Sequence, residues 1–193
     1  MRYYGTVIRP PSEAHSYILQ VTYGCSHNHC TFCGTYLDKL FQIRPADEVI
    51  EDIALAQQQW PGLRRVFLAD GNALVLSTRR LVPILDALNS AFLHLERVGS
   101  YANARDILDK SEADLALLCR KGLRILYLGL ESGSDEVLRR IGKRATAVEM
   151  VQAVHKAKAG GTLPQDKERL LAMLDAALEQ GRSVLRPEFW RAL

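Results

Sequence analysis

Hydrophobic positions along the chain form two alternating kinds of pattern. Short, nearly continuous apolar runs occur at Tyr17 to Thr22, Arg65 to Ala69, Arg97 to Tyr101 and Ile125 to Gly129. Runs of this length that are rich in β-branched and aromatic residues are typical of strands buried on both faces. We therefore predict four strands at these positions.

Each predicted strand is followed by a segment with the period of an amphipathic helix. Pro45 precedes the first such segment, and the pairs Ser111 with Asp114 and Thr146 with Glu149 have the spacing of capping boxes. The clearest apolar stripe comprises Leu81, Ile84, Leu85, Leu88 and Phe92. Strand and helix thus alternate four times.

This alternation predicts an α/β fold with a parallel sheet covered by helices. Right-handed crossovers would curl such a series into a partial TIM-like (β/α) barrel of about four βα units, followed by C-terminal helices. In parallel α/β folds, ligands bind at the carboxyl ends of the strands. The candidate site residues after the four strands are Cys25; Asp70, Gly71 and Asn72; Asn103 and Arg105; and Glu131 and Ser132.

Composition limits the classes of protein that the chain can represent. Its 193 residues suffice for one ordinary domain, and 48% hydrophobic with 24% charged residues is a globular composition. No apolar run approaches the roughly 18 residues of a membrane span. The start of the chain lacks the apolar stretch of a secretory signal, so we expect a cytoplasmic protein. The net charge of +3 is scattered along the chain and gives little indication of nucleic acid binding.

Three of the four cysteines lie within the stretch YGCSHNHCTFCGTY. In a reducing compartment, Cys25, Cys30 and Cys33 are expected to bind metal rather than to form disulfides. Three thiolates leave two possibilities: a zinc site completed by His27 or His29, or an iron–sulfur cluster with one iron open to a ligand. The remaining cysteine, Cys119, lies on an apolar helical stripe, where we expect a small core residue.

The stretch CSHNHCTFC resembles the cluster loop of the radical S-adenosylmethionine (SAM) enzymes. In that family three cysteines hold a [4Fe-4S] cluster, and SAM chelates the fourth iron. The usual spacing is CxxxCxxC, whereas four residues separate Cys25 from Cys30 here. The segments VTYGCSHNHCTFCG and GLESGSDEVLRRI are similar to an uncharacterised subgroup of the family. The resemblance implies that Cys25, Cys30 and Cys33 are the cluster ligands and that the chain generates a 5′-deoxyadenosyl radical by reductive cleavage of SAM.

The same resemblance implies where SAM binds. Phe32 matches the family position that packs near the adenine, and Asp70, Gly71 and Asn72 fall where a glycine-rich segment holds the methionyl amino group. Glu131 and Ser132 match the segment that binds the ribose. Asn103 and Arg105 lie where the family places contacts to the methionine part. The catalytic residues and the substrate stay unassigned, and an external low-potential electron donor is implied as a partner.

Beyond Gly160 the pattern changes. Residues 161–193 predict further helices and no strand, so we assign 1–160 to the N-terminal part of a radical SAM barrel and 161–193 to a C-terminal helical segment. Compared with the family, the chain resembles a barrel shortened internally near Gly160. Such a shortened barrel would be an impaired enzyme, an inactive remnant, or a protein whose open edge is covered by a second copy or another chain.

Overall fold

Four parallel strands with helices packed beside them form the body of the structure, a computed structural model that describes residues 2–161. The strands are β1 (Tyr17–Gln20), β2 (Thr22–Tyr23), β3 (Gln42–Ile43), β4 (Arg65–Ala69), β5 (Arg97–Ala102) and β6 (Leu123–Leu128). The helices are α1 (Ala46–Gln59), α2 (Thr78–Ala91), α3 (Ala104–Asp109), α4 (Glu112–Arg120), α5 (Asp135–Arg140) and α6 (Ala147–Ala159).

The order of the main sheet is β1-β4-β5-β6, and every neighbouring pair is parallel. Each long strand thus lies next to the one before it in the chain, as successive βα crossovers require. The predicted α/β fold, a partial TIM-like barrel of four parallel βα units, is confirmed. The predicted C-terminal helices of 161–193 lie outside the described residues, except for Gly161.

Helix starts follow the signals in the sequence. Ser111 accepts a hydrogen bond from the backbone N–H of Asp114, and Thr146 accepts one from that of Glu149, while each acidic side chain bonds back to the capping residue. Both predicted capping boxes are therefore present. Pro45 stands immediately before α1, where its missing N–H costs nothing.

The predicted first strand is too long. β1 ends at Gln20, and Thr22–Tyr23 pairs antiparallel with Gln42–Ile43 in a separate two-stranded sheet. The backbone turns at Gly24, whose φ of +68° suits a residue without a side chain. This turn directs the cysteine-rich stretch, called here the cysteine loop (residues 24–36), over the carboxyl end of the sheet.

The core lies between one face of the sheet and the helices. Leu68 of β4 and Val98 of β5 are fully buried there with Leu85 of α2 and Leu115 of α4. Cys119 is 7% exposed in this layer, so its prediction as a core residue is confirmed. Because side chains alternate along a strand, the neighbouring positions project from the opposite face of the sheet.

Aromatic rings cover that opposite face. The Phe67 ring lies 5.0 Å from the Tyr101 ring and 5.8 Å from the Tyr127 ring. The Tyr127 hydroxyl donates a 2.6 Å hydrogen bond to the buried carboxylate of Glu13, which also pairs with Arg97 at 3.1 Å. Burial, with the Glu13 bond adding to it, raises the pKa of Tyr127 to about 12. The N-terminal segment is thereby fixed across the inner side of the sheet.

Candidate functional site

The three predicted cluster cysteines lie in the cysteine loop as free, partly exposed thiols. Burial raises the pKa of Cys30, Lys143 opposes that rise, and the Cys25 and Cys33 thiols add to it. The Cys33 N–H donates to the carbonyl oxygen of Cys30 at 3.1 Å, so these two residues stand in one turn. Within residues 2–161, no set of three or more His, Cys, Asp or Glu side chains converges on one point as a single metal ion requires. A cubane cluster spreads its thiolates over different iron atoms.

A buried carboxylate supports the start of the loop. Oδ2 of Asp70 accepts hydrogen bonds from the backbone N–H of Gly24 at 3.1 Å and from Nε2 of Gln20 at 3.1 Å. Nζ of Lys39 lies 3.0 Å from the same oxygen, and the Lys39 and Asp70 side chains are 1% and 0% exposed. Asp70 therefore holds the backbone that leads into Cys25. Its contact with a cofactor stays a prediction.

Gly71 lets the loop press against the end of β4. A Cβ atom at this position would stand 2.7 Å from the Tyr36 ring and 2.8 Å from the Cys25 Cβ, closer than van der Waals contact permits. Tyr36 is 5% exposed, and burial, with Asp70 adding to it, raises the pKa of its hydroxyl far above the ordinary value. The absence of a side chain at Gly71 is thus a packing requirement of the cysteine loop.

Asn72 connects the loop to the next unit of the sheet. Its side-chain amide donates to Oγ of Ser26 at 3.0 Å and to a carboxylate oxygen of Asp106 on α3. Burial raises the pKa of Asp106, with the Asn72 bond and Lys110 acting in the opposite direction. Oδ1 of Asn72 is buried and without a hydrogen-bond partner.

The turn Ile141–Lys143, at the end of α5, holds the opposite side of the loop. Nε2–H of His27 donates to the carbonyl oxygen of Gly142 at 2.6 Å, and the Thr31 N–H donates to that of Ile141 at 2.9 Å. A Cβ on Gly142 would stand 2.5 Å from the carbonyl oxygen of His29. His27 is thus engaged with the protein, while His29 is exposed.

Lys143 places a cation beside the loop. Its Nζ is 3.2 Å from Oε1 of Glu131 and 5.9 Å from the centre of the Phe32 ring. Phe32 is 49% exposed, and its predicted contact with adenine stays a prediction. Ser132 is 3% exposed and its Oγ accepts from the Ser134 N–H at 3.1 Å, so this hydroxyl is used within a local turn.

A cavity of about 280 Å³ adjoins the cysteine loop. It brings Asn103 and Arg105, at the start of α3, together with Ser26 and His27 of the loop and with Lys143. The Arg105 side chain is 59% exposed, and its Nη2 lies 4.0 Å from Oε1 of Glu149, at the outer limit of an ion pair. This long, exposed contact leaves the guanidinium accessible to a ligand. Asn103 and Arg105, which follow β5, are thereby brought to one rim with the cysteine loop, which follows β2.

Three residues of this site carry no recognisable signal in the sequence. These residues are Lys39, Asp106 and Lys143, and nothing in the sequence around them distinguishes them from ordinary charged surface residues. Each acquires its position from a partner in another element, namely Asp70, Asn72 and Glu131.

The family model of the radical SAM superfamily matches residues 19–164 of the chain. The chain belongs to the radical SAM superfamily. The match includes all three clustered cysteines and all four parallel strands except the first two residues of β1. Members of this superfamily typically bind a [4Fe-4S] cluster and SAM.

The radical SAM chain is similar in sequence to curated proteins with different names. It is 26% identical over 139 residues to the heme chaperone HemW of Lactococcus lactis, covering 71% of this chain and 36% of that protein. It is 24% identical over 146 residues to an uncharacterised methyltransferase of Pyrococcus horikoshii, covering 75% of this chain and 30% of that one. The chain therefore spans about a third of the length of the curated relatives it matches.

Solved structures share the fold. The cobalamin-dependent SAM radical enzyme OxsB matches with a TM-score of 0.61 at 20% identity, covering 76% of this chain and 22% of OxsB. Methylornithine synthase (PylB) matches with a TM-score of 0.56 at 19% identity, covering 76% of this chain and 42% of PylB.

In residues 2–161, no helix has the length and apolar character needed to cross a membrane.

Proposed function

We propose that this radical SAM chain holds a [4Fe-4S] cluster on Cys25, Cys30 and Cys33 and binds SAM beside it. The observation that carries the proposal is the presentation of three free thiols at the carboxyl rim of a parallel sheet. Three thiolates are the donor set that leaves one iron of a cubane without a protein ligand. When bound, the cluster and SAM would supply reductive cleavage to a 5′-deoxyadenosyl radical.

The chain's own residues position these groups. Asp70 and the Ile141–Lys143 turn fix the cysteine loop from its two sides. Asn103 and Arg105 face the cavity next to the loop, where a guanidinium suits the methionine carboxylate of SAM. Phe32, Gly71, Asn72, Glu131 and Ser132 remain the proposed contacts to the rest of the cofactor.

We also propose the wider organisation of the protein. Residues 1–160 form the N-terminal part of the barrel and 161–193 a helical segment, acting in the cytoplasm with a low-potential electron donor. β6 lies at the end of the strand order found in residues 2–161. An edge strand invites pairing, so a second copy or a partner chain would complete the barrel if the chain is shortened near Gly160.

Anaerobic reconstitution with iron and sulfide tests the proposal. The expected result is a brown protein with iron and sulfide in equal amounts that forms 5′-deoxyadenosine when supplied with SAM and a strong reductant. Cys30→Ala should lose the iron and the colour. Cys119→Ala is the matched control, because that thiol is buried and donates to the Gly161 carbonyl oxygen at 2.8 Å.

A zinc site is the competing outcome. A colourless protein with one zinc per chain and no sulfide would overturn the cluster proposal and favour a zinc-binding interaction module. A folded protein that binds neither metal, with the same stability after Cys30→Ala, would indicate a remnant of a radical SAM enzyme.

A further inference from the structure

An ion pair stands directly beside the cysteine loop. Nζ of Lys143 and Oε1 of Glu131 are 3.2 Å apart, and the two side chains are only 12% and 13% exposed. The ammonium is also 5.9 Å from the centre of the ring of Phe32, which stands between Cys30 and Cys33 in the sequence. Both charges are thus shielded from water at the place where the cysteines are presented.

The backbone around the pair is shaped to accommodate it. Glu131 has a φ of +62°, a conformation that residues with side chains rarely adopt. A Cβ on Gly129 would stand 2.6 Å from Oε1 of Glu131 and 3.0 Å from Nζ of Lys143. Glycine at position 129 thus leaves room for the ends of both side chains. A positive φ at a residue with a side chain, as at Glu131, is found most often at functional sites.

The turn that carries Lys143 also packs directly against the cysteine loop. A Cβ atom on Gly142, the residue before Lys143, would stand 2.5 Å from the carbonyl oxygen of His29 and 3.8 Å from Cα of Cys30. The ion pair is therefore next to the segment that presents one of the proposed ligands. The exposed arginines of α5, by contrast, are screened by solvent.

We infer that the Lys143–Glu131 pair sets the reduction potential of the cluster, with Lys143 raising the potential and Glu131 lowering it. The inference rests on the proposed function. The potential of an iron–sulfur cluster depends on nearby charge, hydrogen bonding and exposure. Reduction adds negative charge, so a neighbouring cation stabilises the reduced cluster and a neighbouring carboxylate destabilises it. Lys143 and Glu131 are positioning residues in this role, since neither has to touch the cluster.

Redox titration monitored by electron paramagnetic resonance tests the inference on the reconstituted protein without SAM. Lys143→Met should shift the midpoint potential to a more negative value, and Glu131→Gln should shift it to a less negative one. The double variant should return towards the wild-type potential, and Lys143→Arg, which keeps the charge, should stay close to it. Arg140→Gln is the control, because it removes the same charge from an exposed position on α5.

Midpoint potentials that shift in opposite directions in Lys143→Met and Glu131→Gln distinguish this electrostatic role from a structural one. A structural role predicts that both single variants lose iron or shift the potential in the same direction, and either result would overturn the inference. If Lys143→Met fails to retain a cluster, Glu131→Gln alone tests the inference. A shift to a less negative potential supports it, and a shift to a more negative potential overturns it. A wild-type protein that assembles no cluster refutes the proposed function as well, whereas unmoved potentials in a loaded protein refute only the inference.

Discussion

Replacing Lys39 by methionine would leave the buried carboxylate of Asp70 without its cation. Both side chains are almost completely excluded from water, and Nζ of Lys39 is 3.0 Å from Oδ2 of Asp70. Removing one partner of a buried ion pair costs about 3–5 kcal/mol, because the remaining charge stays desolvated. Domains are stable by about 5–15 kcal/mol, so Lys39→Met should remove a large part of the free energy of unfolding.

Urea unfolding followed by circular dichroism measures this cost on the protein without iron. The double variant Lys39→Met with Asp70→Asn should be more stable than Lys39→Met alone, because the stranded charge is gone. The Gly24 N–H would still have an amide oxygen as acceptor in place of the carboxylate. A Lys39→Met cost below about 1 kcal/mol, or single costs that simply add in the double variant, would refute the assignment of a coupled buried pair.

Three further changes test other parts of the structure. Gly71→Ala should lower the free energy of unfolding by about 1–3 kcal/mol in urea, because its Cβ would overlap the Tyr36 ring; unchanged stability would contradict the close packing. Burial raises the pKa of Asp106, so the folded state binds an extra proton between the ordinary and the raised pKa, and stability falls as pH rises through that window. Asp106→Asn should abolish that fall in unfolding midpoints measured at several pH values, and an unaltered pH slope would contradict it. Ser111→Ala should cost about 0.5–2 kcal/mol in thermal or urea unfolding through the loss of its bond to the Asp114 N–H, and a negligible cost would show that the cap is unimportant.

Local signals predicted the parts of the fold whose interactions are themselves local. The apolar run of β4 and the capping pair of Ser111 with Asp114 depend on neighbours within a few residues, and both were confirmed. The pairing of β2 with β3 was missed because each strand has only two residues, too few to show a period. α3 was missed for the same reason, since six residues offer little more than one helical turn and a half.

The candidate site likewise contains residues that local signals predict and residues that they do not. The spacing of Cys25, Cys30 and Cys33 identified the loop and the family, and the positions after the strands identified the rim. Lys39 and Lys143 could not be predicted, because a lysine in a loop normally stays in water. Only the folded chain brings each to its carboxylate, across 31 and 12 residues respectively.

The hydrogen bond between His27 and Gly142 joins residues 115 positions apart. During synthesis, the thiols leave the ribosome long before the turn at residues 141–143, which packs against the cysteine loop, has been translated. In a nascent chain, the three thiols are therefore exposed before the turn at residues 141–143 can pack against the cysteine loop and before Lys143 is present. Assembly of the proposed cluster therefore has to follow translation of the α5 region, and until then the thiols are exposed to oxidation.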